Sequence, residues 1–389
     1  MAIMNFNMLA AVSSIWKPII SLLDWMNSGI GNFGWTVVVF TLMLRLILMP
    51  FDIWQKMSMR KQKAKMDILR PQMEKLQKQY ANRPDILRQK QYELQKSAHI
   101  NLFSSCLPMI FTLVIFALIF QGFREYIISA NEKLVSDLYN NVYVQFFIEH
   151  AQTISEATGK TILDEAGQLA VVPSYSLLQD AGLIEELNSA LVAGYQPQSW
   201  LWVKNVFMSD TYANVIPNYN NFISTGFGGI AATIPDIPGT SYNELMNPII
   251  SAYNKTKFFD MAHWNGYFVL PILSILTSFF STMLQQKMQP MQPMSTGDEA
   301  QQKQQKAMNK IMVYMMPLVL GFFAIVYSAA FAIYYFTSNL FMTIVTIVFN
   351  LITKKIDEKK AQQPIITTTF ATQPQSQAPK KKVNNKKKR

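Results

Sequence analysis

Residues 33–51 read FGWTVVVFTLMLRLILMPF, an apolar run able to cross a bilayer that nevertheless carries one arginine, Arg45. A membrane helix needs about 20 mostly apolar residues, and a slightly shorter core is accommodated by thinning or snorkelling. An arginine there disfavours insertion by about 2.5–3.5 kcal/mol on translocon scales, so something compensates for it. Three compensations fit the residues. Arg45 lies one and a half turns before Pro50, and its long stem can snorkel to the interface. Asp52, two turns on and on the same face, can pair with it. Alternatively, the guanidinium faces a wet cavity inside a helix bundle.

The rest of the chain repeats the pattern. Half of the 389 residues are hydrophobic, yet the net charge is +11. The apolar residues gather in blocks rather than spreading periodically, which marks a polytopic membrane protein. Further spans are expected at 102–123, 266–284, 311–328 and 329–352. The apolar run 311–352 has 42 residues, about 63 Å as one helix against a hydrocarbon core of about 30 Å, so it must be two spans. The reversal belongs near residues 327–330.

The intervening segments are polar. Residues 1–32 are expected to include an amphipathic interfacial helix on Ile15, Ile19, Leu22, Leu23 and Met26, without the basic start of a signal peptide. Residues 52–101 read as a basic helical hairpin. Its first arm carries Met66, Leu69, Met73, Leu76 and Tyr80 at seam spacing, and Asn82-Arg83-Pro84 marks the turn. The segment 124–265 reads as a separate helical and loop insertion. Within it 180–192 is amphipathic, QSWLWVKNVFM at 198–208 looks interfacial, and 212–248 reads as loop. Residues 285–310 form a further loop, and 353–389 a basic tail that is expected to be disordered.

Charge orients these parts. Residues 53–100 net +8, 285–310 net +2 and 353–389 net +9, whereas 124–265 net −8. The positive-inside rule places the first three in the cytosol and the acidic insertion outside, with the N-terminus outside and the C-terminus inside.

Polar residues inside the spans recur on single helix faces. They are Thr41 and Arg45 in the first span, Thr112 in the second, Ser274, Ser278, Ser281 and Gln285 in the third, and Tyr335, Asn339, Thr343, Thr346 and Asn350 in the fifth. Such stripes serve close helix packing, with hydroxyls bonded to the preceding turn, or they line a shared hydrated groove. The single cysteine, Cys106, excludes an internal disulfide, and the three histidines show no metal-ligand spacing. No phosphate loop or nucleophile elbow is present, so neither an enzyme nor a cofactor or metal is expected.

The order of motifs resembles a known family. It comprises TLMLRLILMPF, a basic hairpin, Cys106-Leu107-Pro108, WLWVKNVFMSD, LPIL at 270–273, MMP at 315–317 and YYFTSNLF at 334–341. This is similar to the YidC/Oxa/Alb-type membrane protein insertases, in the short bacterial form. It departs from them at Thr112, where many members have glutamine, at Val114, often proline, at Ser328-Ala329-Ala330, often Pro-Ala-Gly, and at Tyr335, often tryptophan. The resemblance implies an all-α fold of five transmembrane helices around a hydrophilic groove open to cytosol and lipid, in a monomer of the bacterial cell membrane. It implies that Arg45 attracts the polar or acidic tail of a nascent membrane protein. Thr41, Thr112, Ser274, Ser278, Ser281, Tyr335, Asn339 and Thr343 line the groove in this reading, and Met59, Met66 and Met73 of the hairpin receive clients. The basic tail would meet the ribosome, and the protein would work alone or beside the Sec translocon. The competing function is an anion-binding transporter or channel that uses Arg45.

Overall fold

The computed structural model describes residues 3–97, 103–226, 228–254, 257, 259–288, 314–315 and 317–362. The loop residues 289–313 and the tail beyond Gln362 fall outside them. So do the side chains of Met66, Thr112 and the Cys-Leu-Pro motif. Among the described residues helices are the regular structure, joined by loops that hold only two isolated β-bridges. In order, the helices are α1 (Ile3–Ile30), α2 (Phe33–Gln79), α3 (Pro84–Ser97) and α4 (Phe103–Leu138), the last running through a π turn at Tyr139–Tyr143 into α5 (Val144–Glu149). The insertion continues as α6 (Ala151–Thr158), α7 (Tyr175–Asp180), α8 (Ile184–Gly194), α9 (Tyr219–Ile223) and α10 (Tyr242–Tyr253). The last three are α11 (Val269–Met288), α12 (Pro317–Val326) and α13 (Ala329–Gln362).

Two segments, Phe33–Leu69 and Ala329–Glu358, are long and apolar enough to cross a membrane, and Val269–Gln285 and Pro317–Val326 are shorter apolar helices. Their outward faces carry large exposed apolar residues, among them Leu46, Ile47, Leu276, Phe280, Phe322 and Ile344. Exposed apolar surface on this scale marks a face that meets lipid or another protein.

Aromatic pairs show how the helices run. Phe33 stacks on Tyr126, Phe40 meets Phe123, and Phe51 lies 4.0 Å from Phe111, so α2 and α4 are antiparallel. Ser274 bonds the carbonyl of Ala332 and Ser278 bonds Tyr335, so α11 and α13 are parallel. A Cβ on Gly321 of α12 would strike Ile275, which brings that helix against α11. Phe120 of α4 meets Phe323, Tyr327 and Phe331, joining the helices on either side of the break at Tyr327 and Ser328.

Several segments depart from the sequence expectation. The first span and the first hairpin arm form one unbroken helix through Pro50 and Pro71. Helix α1 is longer than the expected amphipathic stretch and packs on both α2 and α4, with Leu23 and Met26 buried and Ile19 against Gly122. The amphipathic stretch 180–192 is divided between α7 and α8 at Gly182, whose φ of +71° an L side chain rarely adopts. Residues 212–248, expected as loop, contain α9 and the start of α10, which is set by a capping box of Ser241 and Glu244. That Ser-x-x-Glu spacing was legible as a helix start. The expected disordered tail begins as helix, since α13 continues to Gln362 with Lys354 and Glu358 one turn apart.

Contacts divide the described chain into two compact units, 1–347 and 348–389. The features below lie in the first.

Candidate functional site

Three helices begin at a common end of the bundle, and one segment of the insertion finishes all three. Asn32 caps α2, accepting from the Trp35 amide and donating to the Ser199 carbonyl at 2.8 Å. At the start of α13, the amides of Ala329 and Ala330 donate to the carbonyls of Met208 (2.8 Å) and Val206 (2.9 Å). Ser328 accepts from the Phe331 amide, so the serine at this departure from the family pattern acts as the N-cap. Asp210 finishes α11, accepting from the amides of Tyr267 (2.8 Å) and Leu270 (2.7 Å) and from the Trp202 indole. These donors are the ones a helix start leaves without partners, and the carboxylate also meets the positive end of the helix dipole.

Much of the plug is buried. Asp210 is fully buried, as are Val206 and the alanines at 329, 330 and 332. Asn265 donates to the carbonyls of Asn205 and Ser209 and accepts from the Asn205 amide. Trp200 lies over Gly34, where any Cβ would collide with its indole. Lys204 donates to the Ala262 carbonyl, and burial draws its ammonium pKa below the ordinary range while Asp260 opposes the shift. The stretch 198–208, expected at the interface, therefore forms core; only Leu201, held at a φ of +51°, points outward among its large apolar residues.

Farther along the bundle lies the arginine. Arg45 is half-buried and donates from Nε to the Ser338 hydroxyl on α13 at 2.8 Å, with a second bond from its terminal nitrogen. Buried Tyr334 lies beside both groups. Asp52, two turns along α2, acts on Arg45 through space, and its Oδ2 is buried without a hydrogen-bond partner. Lys56, one turn further on, is buried as well. The three charges form a ladder on one face of α2, and Asn339, one turn beyond Tyr335, leaves its Nδ2 buried and unpartnered. The guanidinium is thus hydrogen-bonded to a neutral hydroxyl, and Asp52 acts on it only through space.

The other candidates read from the sequence separate from this centre. Thr41 is fully buried and donates to the Val37 carbonyl one turn back. Thr343 does the same to Asn339, and Thr346 to Met342. Ser274 and Ser278 tie α11 to α13, while Ser281 accepts from Gln285. Only Ser274 and Ser278 join two helices; the other hydroxyls close on the preceding or following turn of their own helix. In the hairpin, Met73 is buried with Leu69, Leu87 and Gln91, whereas Met59 is half-buried. Ser338 was missed by sequence reading; its signal was the i, i+4 relation to Tyr334 on the face next to the chosen stripe.

Helices throughout the regular structure of the described residues, two candidate spans, exposed apolar faces and a half-buried arginine among them fit a helical membrane protein. The chain belongs to the 60Kd inner membrane protein family, whose model matches residues 25–359. Among curated relatives, a membrane protein insertase YidC of Caldanaerobacter subterraneus is 35% identical over 105 residues, 27% of this chain and 49% of the relative. That of Fusobacterium nucleatum is 32% identical over 114 residues, 29% of this chain and 54% of the relative. That of Roseobacter denitrificans is 38% identical over 100 residues, 26% of this chain but only 16% of the relative. The matched part thus spans about half the length of the shorter relatives and a small fraction of the longer one.

Proposed function

We propose that this protein inserts nascent membrane proteins into the bilayer and assists their folding, with Arg45 attracting the client's polar or acidic tail while its apolar segment passes into lipid. The observation that carries the reading is the asymmetry between the two places just described. One end of the bundle is plugged by backbone and side-chain bonds, and a cation with spare hydrogen-bonding capacity stands deeper within the same bundle. At about 8 Å and an effective dielectric of about 20, one charge pair contributes about 2 kcal/mol, enough to recruit a tail without trapping it. No nucleotide is required, since burial of the apolar segment in lipid supplies the drive.

In this reading the five apolar helices alternate across the membrane. The plugged end, bearing the acidic insertion, faces outside, and the basic hairpin and tail lie in the cytosol. The parallel starts of α2, α11 and α13 support that alternation. The groove runs between α2 and α13 at Arg45, Ser338 and Asn339, with Thr41, Thr112, Ser274, Ser278, Ser281, Tyr335 and Thr343 along its walls. Met59 and Met66 offer flexible thioethers to incoming apolar segments, and Met73 would do so only as the hairpin opens. The Lys-rich tail would engage ribosomal RNA through phosphate charge. We infer a monomer, acting alone or with the Sec translocon.

The test is insertion of a short single-spanning client into proteoliposomes, scored by protease protection. Arg45→Lys should keep most of the activity, since the role needs a cation and not a guanidinium fork. Arg45→Ala should lose insertion of clients with acidic tails while the protein still assembles. Full activity of Arg45→Ala with every client would end the charge-based mechanism.

A further inference from the structure

Apart from the arginine, the bundle contains a cavity of about 330 Å³ at its plugged end. Phe120, Phe123, Phe207, Ile230 and Phe331 form its apolar wall, and Arg124 stands on the lining. That arginine directly follows the apolar run 107–123, at the level where a membrane helix leaves the hydrocarbon. Its nearest acid among the described residues is Glu125 at 3.9 Å, and Glu125 already accepts from Gln121 at 2.7 Å. Asn214 and Ser209 also line the space, and Asn214 buries its Oδ1 without a partner, so a hydrogen-bond donor is missing there.

We propose that this cavity is a site for one acidic glycerophospholipid, with an acyl chain against the phenylalanines, the phosphate at Arg124 and a headgroup hydroxyl toward Asn214. The volume lies at the small-ligand end of binding cavities, which run from about 300 to 1,000 Å³, so it takes the headgroup region and part of one acyl chain while the remainder of the lipid stays in the bilayer. A client helix, about 10–12 Å across with its side chains, is too wide for it. The guanidinium suits a phosphate because its planar donors engage two oxygens at once. A lipid bound here would brace the break between α12 and α13, since Val326, Tyr327 and Ser328 share the wall. The inference rests on the membrane reading of the apolar helices. That reading has its own readout, resistance of the chain to alkaline extraction from membranes, which Arg124→Gln leaves unchanged.

The experiment is native mass spectrometry of the full chain in detergent, titrated separately with phosphatidylglycerol, phosphatidylcholine and glycerol 1-phosphate. The expected result is one phosphatidylglycerol bound about fivefold more tightly than phosphatidylcholine, as one charge near a membrane surface provides. Arg124→Gln should bring the two lipids level, and Arg124→Lys should retain most of the preference. Ile230→Trp, filling the cavity, should weaken both lipids while the protein still unfolds cooperatively; if that variant fails to fold, the Arg124 pair still decides. Equal binding of the two lipids by the unaltered protein would overturn the proposal, as would a preference that survives Arg124→Gln. Competition by glycerol 1-phosphate as strong as by the lipid would also overturn it, because the site would then be for the anion alone.

Discussion

Asp210 and Asp52 are both acids set among apolar helices, and their surroundings differ in kind. Asp210 is fully buried and takes two backbone amides and an indole N–H, so its charge is spread over fixed donors. Asp52 stands between two cations on its own helix with one oxygen unpartnered. A buried carboxylate with every donor in place fixes geometry, whereas one with open valence can exchange partners. The first sits where the helix starts are locked together, and the second beside the arginine assigned to client contact. The chain thus separates a rigid end from a responsive interior by how completely its buried polar groups are paired.

The largest expected effect tests the rigid end. Asp210→Ala orphans one buried and two part-buried donors and should lower stability by about 3 kcal/mol, read as the unfolding midpoint in detergent. Asp210→Asn, which keeps an acceptor, should cost clearly less. Gly34→Ala follows. It drives a Cβ into Trp200 and should cost about 1–3 kcal/mol as an overpacked contact, whereas Gly29→Ala, in open space, should cost nothing. A silent Gly34→Ala would mean that the plug is loose, and the contrast with the interior would fail.

The smaller effects sharpen the responsive side. Ser338→Ala takes away the hydroxyl on which Arg45 rests and should cost about 1.5 kcal/mol, as loss of a hydrogen bond to a charged group does. It should also move insertion toward the Arg45→Ala phenotype. Thr343→Ala, whose hydroxyl only returns to its own helix, should do neither. Last, Gln91 is buried in the hairpin with both amide atoms unpartnered, so Gln91→Leu should stabilise the hairpin by about 1 kcal/mol, seen as slower proteolysis between residues 52 and 97. Destabilisation by that change would show that the amide has a partner in solution.

The sequence by itself determined the helical class, the break near residue 327 and the candidate arginine. Each follows from a local quantity: the length of an apolar run against the thickness of a bilayer, or a charge inside such a run. The helix start at Ser241 was equally local and was legible, though overlooked. The tertiary structure alone decided which hydroxyl bonds Arg45 and which partners the other polar residues take. Thr41 and Ser274 share faces with plausible groove residues, yet their hydroxyls are taken by the preceding turn and by the neighbouring helix. Ser338 became the partner of Arg45 because of how α13 is set against α2, across 293 residues of chain. The aromatic stretch 198–208 turned inward for the same reason. Its carbonyls are the acceptors that the starts of α2 and α13 lack, and no periodicity within one segment reveals that another segment needs them.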